Sequence, residues 1–152
     1  MRVITGIARG RKLVTLEGEE VVRPTTDRVK EAMFSIIQFD IPGKSVLDLF
    51  AGSGQLGIEA LSRGAEKAVF VDKSAEAFSV VKQNLKTCGL SDKATVINSD
   101  SFGFLRSTAE KFDIILIDPP YSRQMAETAL SLVDGVLKDG GIVTVSYTHL
   151  RA

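Results

Sequence analysis

Residues 45–57 read Ser-Val-Leu-Asp-Leu-Phe-Ala-Gly-Ser-Gly-Gln-Leu-Gly, an apolar run that ends in a glycine-rich turn. Gly52, Gly54 and Gly57 satisfy the spacing G-x-G-x-x-G, where missing Cβ atoms let the backbone turn sharply and a ligand come close. The run 45–49 is expected as a strand and 54–63 as a helix closed by Gly64. The same alternation continues downstream: 68–72, 94–98, 112–117 and 142–145 read as strands, and 74–88, 101–108 and 124–137 as helices. The run 112–117 is almost continuously apolar, as a parallel strand covered on both faces requires. Repeated strand–helix units predict an α/β, doubly wound, mainly parallel sheet of Rossmann-like form, with ligands at the carboxyl ends of the strands.

Upstream of this core, residues 3–7 and 12–16 read as two short strands of a hairpin closed through Ala8-Arg9-Gly10-Arg11. A helix is expected over 27–38, where Val29, Ala32, Met33, Ile36 and Ile37 recur at helical spacing. Three regions follow: a basic extension over 1–40 that belongs to the same domain, a ligand-binding core over 41–145, and an atypical tail over 146–152.

Composition narrows the classes of function. The chain has 152 residues, 44% hydrophobic and 25% charged, which suits one globular domain. A single cysteine, Cys88, excludes an internal disulfide, and with His149 the only histidine a zinc site of His and Cys ligands is out of reach. No metal is expected. No apolar run approaches the roughly 20 residues that span a bilayer, and the basic amino end is too broken for a signal peptide. A soluble cytoplasmic protein that needs no membrane, and acts as a monomer, is the expectation. The nineteen basic and nineteen acidic side chains cancel, yet they are not evenly spread. Residues 1–30 hold seven basic side chains against four acidic ones, and no acid precedes Glu17. Such clustering suits either a phosphate backbone or a solvated surface loop.

Two constellations carry chemistry. Asp72 follows Gly52 by 20 residues and ends the second core strand, where a carboxylate accepts both hydroxyls of a ribose. Sites for NAD and for S-adenosyl-L-methionine share that much. Asp48 tilts the reading, because a carboxylate ahead of the glycines repels a pyrophosphate and attracts the ammonium of a methionine moiety. Asp100, just past the third strand, is suited to accept from an adenine amine, although both aspartates also suit turn capping.

The second constellation is Asp118-Pro119-Pro120-Tyr121 after the fourth strand. An exocyclic amine on a nucleobase is a poor nucleophile, since its lone pair is delocalised into the ring. A carboxylate from Asp118 and the carbonyl of Pro119, each accepting one amine hydrogen, direct that lone pair at a sulfonium methyl. The prolines stiffen the acceptors, and Tyr121 is placed to stack on a base swung out of its helix.

With these residues in hand, the chain resembles the class I S-adenosyl-L-methionine-dependent methyltransferases, and within them the RsmD family of 16S ribosomal RNA guanine-N2 methyltransferases. The resemblance runs from Val3 to about Val143 and includes RVITGIARGRKL, RPTTDRVKEAMF, LDLFAGSGQLGIEALSRGA, FVDKS and DPPY. It implies cofactor contacts from Gly52, Gly54, Asp72 and Asp100, with Asp48, Phe50, Lys73 and Ser101 beside them, and a catalytic loop of Asp118, Pro119, Pro120 and Tyr121. It implies RNA contacts from Arg9, Arg11, Lys12, Arg23 and Thr25, and the small ribosomal subunit as partner. Methylation of adenine N6 on DNA or RNA uses the same tetrad and is the neighbouring reading. A NAD-binding oxidoreductase is the reading from another class. After Gly141 the family pattern continues into an antiparallel hairpin that completes seven strands. Residues 146–152 do not match it, so the C-terminal strands are expected to be truncated and one sheet edge open.

Overall fold

The computed structural model describes residues 1–16, 27–120 and 123–146. Five parallel strands form one sheet: β1 (Ser45–Leu49), β2 (Lys67–Asp72), β3 (Ala94–Asn98), β4 (Phe112–Ile117) and β5 (Leu137–Val145), in the order β3-β2-β1-β4-β5. Helices α1 (Asp27–Ile37), α2 (Gln55–Ser62), α3 (Ala75–Cys88), α4 (Ser101–Ser107) and α5 (Arg123–Leu132) complete the layers. The central strand β1 is buried at every position, and four residues of β4 in succession are buried too, because helices or loops cover both faces. One face of the sheet packs Val46, Ala68, Phe70 and Ile114 against α2, α3 and the amino-terminal segment. The other packs Leu47, Val69, Ile115 and Ile117 against α4 and α5.

Strand order reverses direction between β1 and β4, so the crevice at their carboxyl ends is the switch point where such sheets bind ligands. The local signals set the helices around it. Ser74 caps α3 by accepting from Ala77 N–H, and Gly89 ends it in the left-handed region at φ 69°. Asp100 caps α4 by accepting from Gly103 N–H.

The expected α/β architecture is observed, with three local differences. The strands expected over 3–7 and 12–16 reduce to one antiparallel bridge, Arg2 with Lys12, in a hairpin-like reversal. Backbone bonds cross the reversal from Val3 N–H to the Arg11 carbonyl, Gly10 N–H to the Val3 carbonyl and Leu13 N–H to the Met1 carbonyl. Side chains of the core take other backbone groups. Ile4 N–H and Thr5 N–H donate to the Glu59 carboxylate at 2.8 and 3.0 Å, Ala8 N–H donates to Ser62 Oγ, and Val14 N–H donates to Asn84 Oδ1. Gly6 lies at φ 96°, and a Cβ there would sit 1.8 Å from the Ser62 carbonyl oxygen. Only glycine allows that approach.

On α1, the buried residues are Lys30, Phe34 and Ile37, whereas Ile36 is 81% exposed. Lys30 displaces the apolar pattern because its ammonium has buried partners, Glu59 Oε1 at 3.4 Å and the Arg2 carbonyl at 2.9 Å. Burial lowers its pKa, against the carboxylates of Glu59 and Asp27, which favour the charged form. Glu59 also accepts from Arg63 at 2.8 Å, so this buried carboxylate holds α1, α2 and the amino-terminal segment together.

The helix expected over 124–137 ends at Leu132, and the last strand starts at Leu137 rather than at residue 142. Leu137 pairs with Phe112, and the register then jumps so that Ile142 pairs with Ile114. The Asp139-Gly140-Gly141 stretch therefore bulges within a strand instead of preceding it. Within the described sheet, β5 is an edge and its residues are half-buried or exposed. Most of the expected tail, 147–152, lies outside the described residues.

Candidate active site

The turn after β1 begins with strain. Phe50 has φ 60°, a left-handed conformation that side chains with a Cβ rarely adopt, followed by Gly52 at 58° and Gly54 at 84°. Hydrogen bonds enforce the shape: Ala51 N–H donates to the Val71 carbonyl, Gly52 N–H to Asp72 Oδ2 at 2.9 Å, and Gly54 N–H to the Ala51 carbonyl. Asp72 is also tied by Ser74 N–H, which donates to Oδ1 at 2.9 Å. Two backbone donors thus help to fix the carboxylate.

The third glycine works differently. A Cβ at Gly57 would stand 2.3 Å from Phe70 Cε2 and 3.1 Å from Asp48 Oδ2, so Gly57 lets α2 lie against the sheet. Asp48 is 1% exposed and its Oδ2 accepts from Gly57 N–H at 2.9 Å. In this arrangement Asp48 braces the start of α2.

A cavity of about 90 Å³ lies at the carboxyl ends of the strands, lined by Phe50, Asp72, Lys73, Asp100, Ser101, Phe102, Pro120 and Met125. Six of these were expected from the sequence, drawn from four separate loops that only the fold brings together. Phe102 and Met125 were not. Phe102 packs edge-on against Phe50, with ring centroids 5.7 Å apart and planes at 74°. An apolar residue in the first turn of the helix after Asp100, and one in the helix after the Asp-Pro-Pro stretch, are the signals that could have found them.

Asp118, at the end of β4, is 2% exposed, Pro119 is buried and Pro120 reaches the cavity rim. Tyr121, Arg23 and Thr25 lie outside the described residues. Arg9, Arg11 and Lys12 are exposed on the amino-terminal segment and do not line the cavity. Among the described residues no cluster of His, Cys, Asp and Glu could hold a metal, and no helix is long and apolar enough to cross a membrane.

The sheet order, the strained glycine turn at its switch point and the Asp-Pro-Pro loop beside it define an α/β methyltransferase of class I. Residues 1–151 match the family described as conserved hypothetical protein 95, the RsmD family. The ribosomal RNA small subunit methyltransferase D of Haemophilus influenzae is 43% identical over 136 residues, covering 88% of this chain and 70% of that protein. Its namesake in Escherichia coli is 37% identical over 147 residues, covering 95% and 73%. Among solved structures, yhhF of Escherichia coli superposes with a TM-score of 0.85 at 37% identity, covering 95% of this chain and 80% of that one. The chain belongs to this family and is a methyltransferase.

Proposed function

We propose that this enzyme transfers a methyl group from S-adenosyl-L-methionine to N2 of a guanine in 16S ribosomal RNA, acting in the cytoplasm as a monomer on the small ribosomal subunit. One observation carries the reading: Pro120, two residues past Asp118, borders the same cavity as Phe50, Asp72 and Asp100. The relatives' names supply the substrate class, and guanine N2 follows from the family.

The residues present fit the cofactor. Asp72 and Asp100 offer carboxylate acceptors at one wall, suited to ribose hydroxyls and an exocyclic amine, while Phe50, Phe102 and Met125 offer apolar faces suited to a purine. Gly52 and Gly54 shape the turn through their positive φ, and Lys73 and Ser101 complete the rim. Asp48 acts here as the positioning residue that holds α2 against the turn. When bound, the cofactor supplies an electrophilic methyl on a sulfonium.

The chain's own contribution is to hold the amine. Asp118 and the Pro119 carbonyl accept its two hydrogens, which localises the nitrogen lone pair and stabilises the positive charge that develops on it. Asp118 and Pro119 are buried here, and Tyr121 is the residue we assign to stack on the base. Arg9, Arg11 and Lys12, with Arg23 and Thr25, engage the RNA through residues 1–40, while 41–145 hold the cofactor.

The test is transfer of labelled methyl groups to small subunits that lack the modification, with nucleoside analysis of the product. The expected product is N2-methylguanosine, and Asp118→Ala is expected to lose roughly 100- to 1,000-fold in kcat. Recovery of N6-methyladenosine would assign the neighbouring chemistry, and an unimpaired Asp118→Ala enzyme would remove the mechanism.

A further inference from the structure

Asn84, on α3, is fully buried and its side chain spends every hydrogen-bonding group on backbone. Its Oδ1 accepts from Val14 N–H at 2.8 Å, and its Nδ2 donates to the Val14 carbonyl at 2.9 Å. This is the two-bond pairing that a neighbouring strand would make. The same Nδ2 donates to the carbonyl of Ser53 at 2.9 Å, in the middle of the glycine turn. A single planar amide therefore joins the amino-terminal segment to the loop that cradles the cofactor.

The two ends of that link have different anchorage. The glycine turn is also held by Val71 and Asp72, whereas Val14 is exposed and lies beyond the Glu59 and Ser62 contacts that seat residues 4–8, next to Leu13, which is buried and donates to the Met1 carbonyl. Arg9, Arg11 and Lys12 lie between those anchors and Val14. Any shift of the Ser53 carbonyl alters the amide, and any shift of the amide alters two bonds to Val14. Because the Asn84 side chain is fully buried, leaving its amide unpaired is costly even though Val14 itself is exposed, so the two ends favour moving together.

We propose that Asn84 is a positioning residue that couples cofactor binding at the glycine turn to the seating of the basic amino-terminal segment, so that each ligand raises the enzyme's affinity for the other. This rests on the cofactor and RNA reading above. Linkage makes the coupling reciprocal: whatever factor the cofactor contributes to RNA affinity, RNA returns to cofactor affinity.

The first test uses the unaltered chain and the unreactive product S-adenosyl-L-homocysteine, followed by amide hydrogen exchange. Slower exchange is expected at residues 50–54 and also at Leu13 and Val14, which do not line the cavity. Protection at 50–54 alone overturns the coupling and leaves the cofactor reading standing. No protection at either place overturns the cofactor reading itself.

The second test measures the Kd for unmodified small subunits with and without S-adenosyl-L-homocysteine. The ratio is expected to be at least about fivefold, the lower end of typical coupling between sites. Asn84→Ala should bring it close to one. Ser62→Ala, which loosens the segment at Thr5 and Ala8 without touching the glycine turn, should weaken RNA binding and keep the ratio. A merely structural role would lower stability and leave the ratio intact, and that result, or equal ratios in all three proteins, overturns the proposal.

Discussion

The glycine turn after β1 and the amino-terminal segment are both irregular, both contain glycines at positive φ, and both pack on α2, yet they are held in opposite ways. The turn hangs from a sheet: its donors go to Val71, Asp72 and Ala51, which are within it or in the next strand. The segment keeps a short hairpin of its own, pairing Val3 with Arg11 and Gly10 and Met1 with Leu13. It is tied to the body of the protein, however, by the Ser62 carbonyl and by three buried polar side chains, Glu59, Ser62 and Asn84. Backbone accounting explains the difference, because a buried N–H needs a partner from somewhere. Where a strand supplies it, the local pattern is enough to foresee the result. Where a distant side chain supplies it, only the assembled core reveals the donor and acceptor.

This contrast can be broken at its strongest point. Glu59→Ala leaves Lys30 buried without its carboxylate and strips Ile4 and Thr5 of their acceptor. A loss of about 3–5 kcal/mol in unfolding free energy is expected from chemical denaturation, the usual cost of breaking a buried ion pair. A loss below 1 kcal/mol would show that the segment is held by its apolar contacts at Val3, Ala8 and Leu13 instead.

Gly57→Ala tests the turn's side of the comparison. Its Cβ meets the ring of Phe70, itself fully buried, so the expected loss is about 1–3 kcal/mol, with cofactor affinity falling as Asp48 is displaced. Thermal unfolding with and without ligand separates the two effects.

The smallest effect is expected at the far end of β1. There, Asp113 Oδ2 accepts from the backbone N–H and hydroxyl of Ser45, which hold its pKa below the ordinary carboxylate value, with Lys138 adding to the shift. A carboxyl whose folded pKa is depressed adds stability above its unfolded pKa of about 3.9, and that stability is lost as pH falls through the folded value. Asp113→Asn should therefore flatten the acid limb of the stability curve, with a cost below about 1 kcal/mol at neutral pH, since the pair is partly exposed. An unchanged acid limb would mean that the carboxylate is equally favoured in the unfolded chain.

The parallel sheet and the ends of α3 were legible because periodicity, a serine cap and a terminal glycine act within a few residues of one another. The glycine turn was legible for the same reason; Asp72 stood out by its spacing but was read as a ribose acceptor, and its bond from Gly52 N–H emerged only in the fold. Asp48 was read as facing a ligand's ammonium, and its bond from Gly57 N–H is a contact that the spacing alone did not announce. Lys30 was passed over because a lysine on an amphipathic helix normally faces water; its burial follows from Glu59, which lies 29 residues further on. The early start of β5 was missed because its first pair, Leu137 with Phe112, is separated from the rest of the strand by a bulge that looks like a turn in sequence.

By itself, then, the sequence determined the alternation of strands and helices, the strained turn and the acidic residue that accompanies it, since each depends on short-range sterics and hydrogen bonding. Tertiary structure alone decided which face of α1 is buried, what ties the amino-terminal hairpin to the core, and that four loops close on one cavity. Those outcomes rest on contacts between residues far apart along the chain, whose partners have no local signature and are selected only when the core excludes water.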